Sequence, residues 1–123
     1  MGMELKSTAI AAIDRLADLP EGWDSYEAPR ISEQSRESAK GCLNQVQRLL
    51  GSKYANPVVG PTADGGVALS WRKERGPEVD LICSAIGARY VVLSPDGQVV
   101  GQSELHFTEC SHFAFQVLKR LDL

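Results

Sequence analysis

Turn-forming residues interrupt the second half of this sequence at short intervals. After Tyr54 they occur as Asn-Pro, Gly-Pro, Asp-Gly-Gly, Arg-Gly-Pro and Pro-Asp-Gly. In the β-rich runs between these turns, apolar and polar side chains alternate, which is typical of antiparallel strands with one buried face. Strands joined by such short turns pair antiparallel, because parallel pairing needs a long crossover. The pattern predicts a meander of strands at 67–73, 78–84, 89–94 and 98–103, with a possible edge strand at 56–60.

The first half of the chain has helical periodicity instead. Apolar residues recur every three or four positions over 4–19, which predicts an amphipathic helix that ends before Pro20. A second helix follows a proline-containing connector at 20–31. Ser32 is suited to be its N-cap, and Gly51 its C-terminal cap.

A last helix is predicted after Thr108, whose hydroxyl can cap it, with Phe113 and Leu121 on its apolar side. Together these elements indicate a single α+β domain over 1–123. We expect two N-terminal helices, a four- to five-stranded antiparallel β-meander, and a C-terminal helix packed on one face of the sheet.

Charge and composition argue against several classes of protein. The chain has thirteen Lys and Arg residues and sixteen Asp and Glu residues, so its net charge is −3. This acidic balance disfavours nucleic-acid binding. The basic turn at 72–75 still leaves a nucleic-acid-binding accessory protein as an alternative. No apolar run is long enough to cross a membrane, and MGMELKSTAI is unlike a signal peptide. Three cysteines without a Cys-x-x-Cys pair suit a reducing compartment, so we expect a cytoplasmic protein.

The cysteines and histidines are residue types that can bind a metal ion. His106, Cys110 and His112 lie in HFTECSH, and Cys83 could supply a fourth ligand from a strand. The spacing is unlike that of structural zinc sites, which pair their ligands as Cys-x2-Cys or His-x3-His. We therefore expect no metal, and we interpret Cys42, Cys83 and Cys110 as small apolar residues of the core.

The serines and glycines of this sequence lack the frames of familiar catalytic motifs. The serines have no Gly-x-Ser-x-Gly frame, and the glycines at 60–66 lack the Lys and Ser or Thr of a phosphate-binding loop. The sequence thus favours a non-enzymatic protein without a cofactor. A small hydrolase or transferase that uses Cys83, Cys110 or a histidine stays open as the alternative.

The connector holds the most distinctive residues of the chain. One tryptophan and one tyrosine lie there among acidic residues, which suits an aromatic anchor for a basic protein partner. Trp23 and Asp24 also have a structural interpretation, as a plug between helices and as an acceptor for local amides. The candidate partner-binding residues are Glu21, Trp23, Asp24, Tyr26 and Glu27.

The stretches LPEGWDSYEAPRIS, PTADGGVALSW and GQSELHF resemble a group of small, uncharacterised bacterial proteins. Their hallmark is Gly/Asn-Trp-Asp-Gly/Ser-Tyr-Gly-Ala, then a helix, then Pro-Asp-Gly-Gly and a strand that ends in Glu-Trp. This chain departs from it at Glu27, where the group often has Gly, and at Ser70, where it often has an acidic residue. The resemblance implies a compact module associated with bacterial defence or mobile elements, and it implies no reaction.

These observations together predict a protein-binding module of the antitoxin, immunity or inhibitor type. We expect it to occlude a functional site of its partner with the connector or with the open sheet face. A homodimer is also expected, because Val91, Leu93, Val99 and Val100 place apolar side chains on both faces of the last two strands.

Overall fold

The structure, a computed structural model, describes residues 8–26, 28–106 and 110–123. Over these residues the protein is an α+β fold with three α-helices and a five-stranded antiparallel sheet. The helices are α1 (Thr8–Arg15), α2 (Glu33–Leu50) and α3 (Cys110–Gln116). The strands are β1 (Val58–Pro61), β2 (Val67–Arg72), β3 (Glu78–Cys83), β4 (Ala88–Leu93) and β5 (Val99–Leu105). Their order in the sheet is their order in the chain, which is the predicted meander.

The first helix ends earlier than the periodicity predicts. α1 stops at Arg15, and a 3-10 turn over Leu16–Asp18 replaces its last part. Leu19 is already extended, with φ −72° and ψ 125°, because the ring of Pro20 excludes the helical conformation from the residue before it. Residues 1–7, where the first helix was predicted to begin, lie outside the described residues.

The second helix has the caps that the sequence predicts. The Ser32 hydroxyl accepts a hydrogen bond from the Ser35 amide at 3.0 Å, which satisfies one of the unpaired first-turn donors. Gly51 ends the helix with φ 93°, a conformation that side chains with a Cβ rarely adopt. A salt bridge of 2.9 Å between Lys40 and Asp14 connects α2 to α1.

The alternation predicted for the first two long strands is confirmed. Their inward side chains are all nearly inaccessible and face one another in pairs across β2 and β3. The pairs are Val67 with Cys83, Leu69 with Leu81 and Trp71 with Val79. This double row is the centre of the hydrophobic core.

Phe113 on α3 contacts two aromatic side chains of the sheet. The Phe113 ring lies 5.9 Å from the Trp71 ring and 5.8 Å from the Tyr90 ring, between centroids. The predicted single helix is divided, because α3 stops at Gln116 and a 3-10 turn over Leu118–Leu121 follows. That turn places two leucines three residues apart on the same buried side. Thr108, the predicted cap, lies outside the described residues.

Strand β5 forms one edge of the sheet and is much less covered than β2 and β3. The register between β4 and β5 shifts between Val92 and Leu93, as in a β-bulge. Val99 and Val100 are 56% and 64% exposed. The start of β5 therefore exposes apolar side chains to solvent.

Candidate functional site

The connector between α1 and α2 is a series of tight turns with internal hydrogen bonds. The Gly22 amide donates to the Ala28 carbonyl at 2.7 Å, and the Ser25 amide donates to the Gly22 carbonyl at 3.0 Å. Gly22 has φ 77° and Ser25 has φ 67°, so the chain reverses through left-handed conformations at both residues. Ala28 and Ile31 are buried and attach the end of the connector to the core. The connector is therefore a defined structure, although it contains no helix or strand over its described residues.

The Asp24 carboxylate organises the middle of the connector. Its Oδ1 accepts hydrogen bonds from the Tyr26 amide at 2.9 Å and from the Ala28 amide at 3.3 Å. A carboxylate that accepts hydrogen bonds from two backbone amides replaces backbone hydrogen bonds that a turn otherwise lacks. This is the local role that the structural interpretation gives to Asp24.

The Trp23 side chain lies between the core and the solvent. Its ring is partly buried and packs against the hydrophobic core. Its indole Nε1 donates to the Pro29 carbonyl at 3.3 Å, which joins the two ends of the connector. Both earlier interpretations of Trp23 are compatible with this position, since part of the ring is packed and part is accessible.

The other candidate partner-binding residues are directed outward where they are described. The Tyr26 side chain is 83% exposed, the highest value among the aromatic residues that the structure describes. Glu21 is also exposed, at the other end of the same turn. Glu27 lies outside the described residues. The structure thus brings Glu21, Asp24 and Tyr26 into one short stretch of surface-facing chain.

The Thr-Ala-Asp-Gly-Gly sequence forms the turn between β1 and β2, as its composition predicts. The Thr62 hydroxyl accepts from the Gly66 amide at 2.8 Å and also contacts the Asp64 carboxylate. A Cβ on Gly66 would lie 2.6 Å from the Cys83 carbonyl oxygen, so no side chain fits there. The glycine is needed because the turn passes directly over the end of β3.

This hairpin turn and the connector contact each other. The Ser32 amide donates to the Gly65 carbonyl at 3.0 Å. A Cβ on Gly65 would come within 3.1 Å of the Arg30 carbonyl oxygen and 3.3 Å of the Pro29 ring, and its φ of 89° also favours glycine. The two most distinctive stretches of the sequence therefore meet at one place, which sequence reasoning did not predict.

The three cysteines form a second cluster, in which Cys42 and Cys110 are in direct contact. Cys42 on α2 and Cys83 on β3 are buried, and Cys110 at the start of α3 is partly buried. The Cys42 and Cys110 sulfur atoms lie 2.6 Å apart. The sequence correctly predicts that the two buried cysteines belong to the core, but it contains no signal that the three sulfur atoms converge.

Contacts within this cluster shift the pKa values of all three thiols. The contact with Cys110 lowers the pKa of Cys42, but the contact with Cys83 and burial outweigh it and raise that pKa to about 12. The contact with Cys42, together with burial, raises the pKa of Cys110 well above the usual thiol range. The pKa of Cys83 is lowered by its contact with Cys42, against the effect of burial. The accessible thiol, Cys110, is therefore protonated at neutral pH, unlike an activated catalytic cysteine.

A groove of about 770 Å³ runs over the cluster, along one face of α2. Cys42 and Cys110 are part of its wall. The side chains of α2 that line it recur at helical spacing and are mostly polar: Gln34, Glu37, Ser38 and Gln45. Between them lies Gly41, where an added Cβ would meet no atom within 4 Å. The groove is open at this point because the helix has no side chain there.

The histidines lie apart from one another in the exposed parts of the structure. His106 borders a separate cavity of about 640 Å³ with Arg89 and Glu104, and His112 is exposed on α3. Among residues 8–26, 28–106 and 110–123, no three His, Cys, Asp or Glu side chains are arranged to hold a metal ion. In the same described part of the chain, no helix is both long and apolar enough to cross a membrane.

Comparisons of this chain with protein-family models, with curated proteins and with solved structures find no match. The resemblance to the group of bacterial proteins with a Trp-Asp-Ser-Tyr type of hallmark therefore stays a prediction.

Proposed function

We propose that this protein is a non-enzymatic, protein-binding module of the antitoxin, immunity or inhibitor type. In this proposal the connector is the binding surface, and it acts by covering a functional site of a bacterial partner protein. The observation that carries the proposal is the exposed Tyr26 ring on a backbone that is already held in place. The proposed location is the cytoplasm, where three cysteines can persist as thiols.

Pre-organisation is what makes this tyrosine suited to binding. The Asp24 carboxylate holds the Tyr26 amide, and Gly22 closes the turn through Ala28. Because the backbone is ordered before binding, the connector loses little conformational entropy when a partner contacts the ring. Tyrosine and tryptophan are also the side chains that contribute most often to binding hot spots.

The charge around the tyrosine supports a partner with a basic surface. Glu21 and Asp18 are exposed near the start of the connector, and the whole chain has a net charge of −3. Charges at the rim of an interface act mainly on the rate of association and on its salt dependence. We therefore expect binding to weaken as the ionic strength rises, through slower association.

The proposal includes the arrangement of the helices on the sheet. Two N-terminal helices and the C-terminal helix cover one face of the meander, and the packing of Phe113 on Trp71 and Tyr90 supports this. The uncovered start of β5 is then available for a second copy of the chain. Static light scattering at micromolar concentration tests this dimer, and a mass of only 13.4 kDa would contradict it.

The central experiment captures the partner from the native host. The tagged protein is used as bait, and stoichiometric partners are identified by mass spectrometry. We expect one protein to be retained by the wild type and lost with Tyr26→Ala. Its identity as a toxin, a defence effector or another enzyme is then tested by measuring whether the pure module inhibits it.

A matched control separates the connector from general surface hydrophobicity. Val58 on β1 is 74% exposed and lies outside the connector, so Val58→Ala removes accessible apolar area from a different surface. We expect Val58→Ala to retain the partner as the wild type does. Equal retention by both variants, or no stoichiometric partner for the wild type, would contradict the proposal.

A further inference from the structure

We propose that Cys110 and Cys42 form a thiol modification site that reacts with small disulfides of the glutathione class and closes to an intramolecular disulfide. Their sulfur atoms are 2.6 Å apart, and a disulfide bond is about 2.05 Å long. The pair therefore needs only a small displacement to bond. This site is separate from the connector, and it does not depend on the proposed function.

Access to the pair is provided by the groove along α2. Cys110 is partly exposed and lines the groove, whereas Cys83 is completely buried. A small disulfide can therefore reach Cys110 but has no direct path to Cys83. The volume of about 770 Å³ is in the range of sites that hold small molecules. The polar side chains Gln34 and Gln45 suit a peptide-like ligand such as glutathione.

The reaction is two successive thiol–disulfide exchanges. The Cys110 sulfur attacks the small disulfide, its S–S bond breaks, and one small thiol leaves with the proton from Cys110. The Cys42 sulfur then attacks the Cys110 sulfur of this mixed disulfide, and the second small thiol leaves with the proton from Cys42. The protein loses two hydrogen atoms and two electrons, which the small disulfide gains as it becomes two thiols.

The geometry determines which step is slow. The first exchange is bimolecular and requires the Cys110 thiolate, which is scarce at neutral pH because its contact with Cys42 favours the protonated form. The second exchange takes place between sulfur atoms that are already in contact, so it benefits from a high effective concentration. The mixed disulfide on Cys110 should therefore not accumulate in the wild-type protein.

The product would join α2 to α3 across a separation of 68 residues in the chain. A cross-link that closes a long loop restricts the unfolded state strongly. We expect the oxidised protein to melt about 10 °C above the reduced protein. A switch of this kind would hold the C-terminal helix to the groove wall under oxidising conditions.

The test incubates the reduced full-length protein with glutathione disulfide, traps remaining thiols by alkylation, and maps the cross-links by mass spectrometry. We expect a loss of two hydrogens, a Cys42–Cys110 cross-linked peptide and an alkylated Cys83. Three alkylated thiols, a stable glutathione adduct as the end product, or a cross-link through Cys83 would each overturn the proposal.

Two matched variants identify the role of each sulfur. In Cys42→Ala the reaction should stop at a glutathione adduct on Cys110. In Cys83→Ala it should give the same cross-link as in the wild type. The reverse result would assign the second step to Cys83 and overturn the proposal. Because the mapping of the wild type needs no substitution, the proposal stays testable if either variant fails to fold.

A variant in the groove tests the route of entry. Gly41→Leu adds a side chain at a position where a Cβ would meet no atom within 4 Å, and it removes a glycine from a helix interior. We expect the first exchange to be several-fold slower, with an unchanged final product. An unchanged rate would show that the small disulfide does not enter through the groove.

Discussion

The two tryptophans of this protein make the same kind of hydrogen bond in very different surroundings. Trp71 is 2% exposed, donates to the Tyr54 carbonyl at 2.9 Å, and packs against the Phe113 ring. Trp23 is only partly buried and donates at 3.3 Å to a carbonyl on the exposed side of the connector. Trp71 therefore belongs to the core alone, whereas part of the Trp23 ring stays accessible in the connector that also carries the exposed Tyr26 ring.

The first prediction concerns Trp71 and has the largest expected effect on stability. Trp71→Ala should lower the free energy of unfolding by about 3–5 kcal/mol, because a large buried ring is lost. The buried Tyr54 carbonyl would also lose its donor, which adds to the cost. Urea unfolding followed by circular dichroism measures the change. Trp71→Phe is the control, and it should cost less because it keeps a ring against Phe113.

The second prediction concerns Trp23, whose replacement should lower the free energy of unfolding by a smaller amount. Trp23→Ala should cost about 2 kcal/mol, since the ring is only partly buried and less apolar surface returns to water than for a fully buried ring. The same unfolding experiment measures it. A loss equal to that of Trp71→Ala would mean that Trp23 is a full part of the core, and the contrast between the two regions would then disappear.

The third prediction separates the shape of the connector from its side chains. Asp24→Ala removes the acceptor for the Tyr26 and Ala28 amides, and it should cost about 1 kcal/mol in unfolding free energy. Because the hydrogen bond from the Tyr26 amide is exposed and that from the Ala28 amide is only partly buried, water can replace part of the lost bonding. We expect partner binding to weaken by more than this loss of stability, since Tyr26 would no longer be held in place.

Asp24→Asn is the control for that substitution. Its side-chain oxygen can still accept from the Tyr26 amide, while the negative charge is removed. Binding that falls equally for both variants would assign the role of Asp24 to its charge instead of to the shape of the turn.

The features that sequence reasoning predicted correctly have local causes. Ser32 and Gly51 cap α2, since a hydroxyl acceptor and a left-handed conformation are properties of single residues. The antiparallel meander follows from short turns and alternating side chains in the same way. The end of the first helix also has a local form: Pro20 makes Leu19 extended, and the turn before it is 3-10 instead of α-helical.

The features that it missed depend on residues that are far apart in the chain. Cys42 and Cys110 are in contact although they are 68 positions apart in the chain. Neither lies in a sequence motif that identifies the other as its partner. The contact between Ser32 and Gly65 likewise requires that the β1–β2 hairpin pack beside the connector. Such contacts result from the packing of α2 on the sheet. The periodicity of a single sequence does not show which cysteine will lie next to which.

The fourth prediction has the smallest expected effect on stability and bears most directly on function. Tyr26→Ala should change the unfolding free energy by less than about 0.5 kcal/mol, because the ring is 83% exposed and contributes little to packing. The substitution also keeps the backbone amide at position 26, which donates a hydrogen bond to the Asp24 carboxylate, so the turn should persist. If the ring is an interface anchor, the partner's affinity should fall by about 2 kcal/mol or more, as measured by calorimetry with the captured protein. A variant that loses stability but keeps its affinity for the partner would contradict the role of Tyr26 as an interface anchor. The connector would then serve the packing of the core, as Trp71 does.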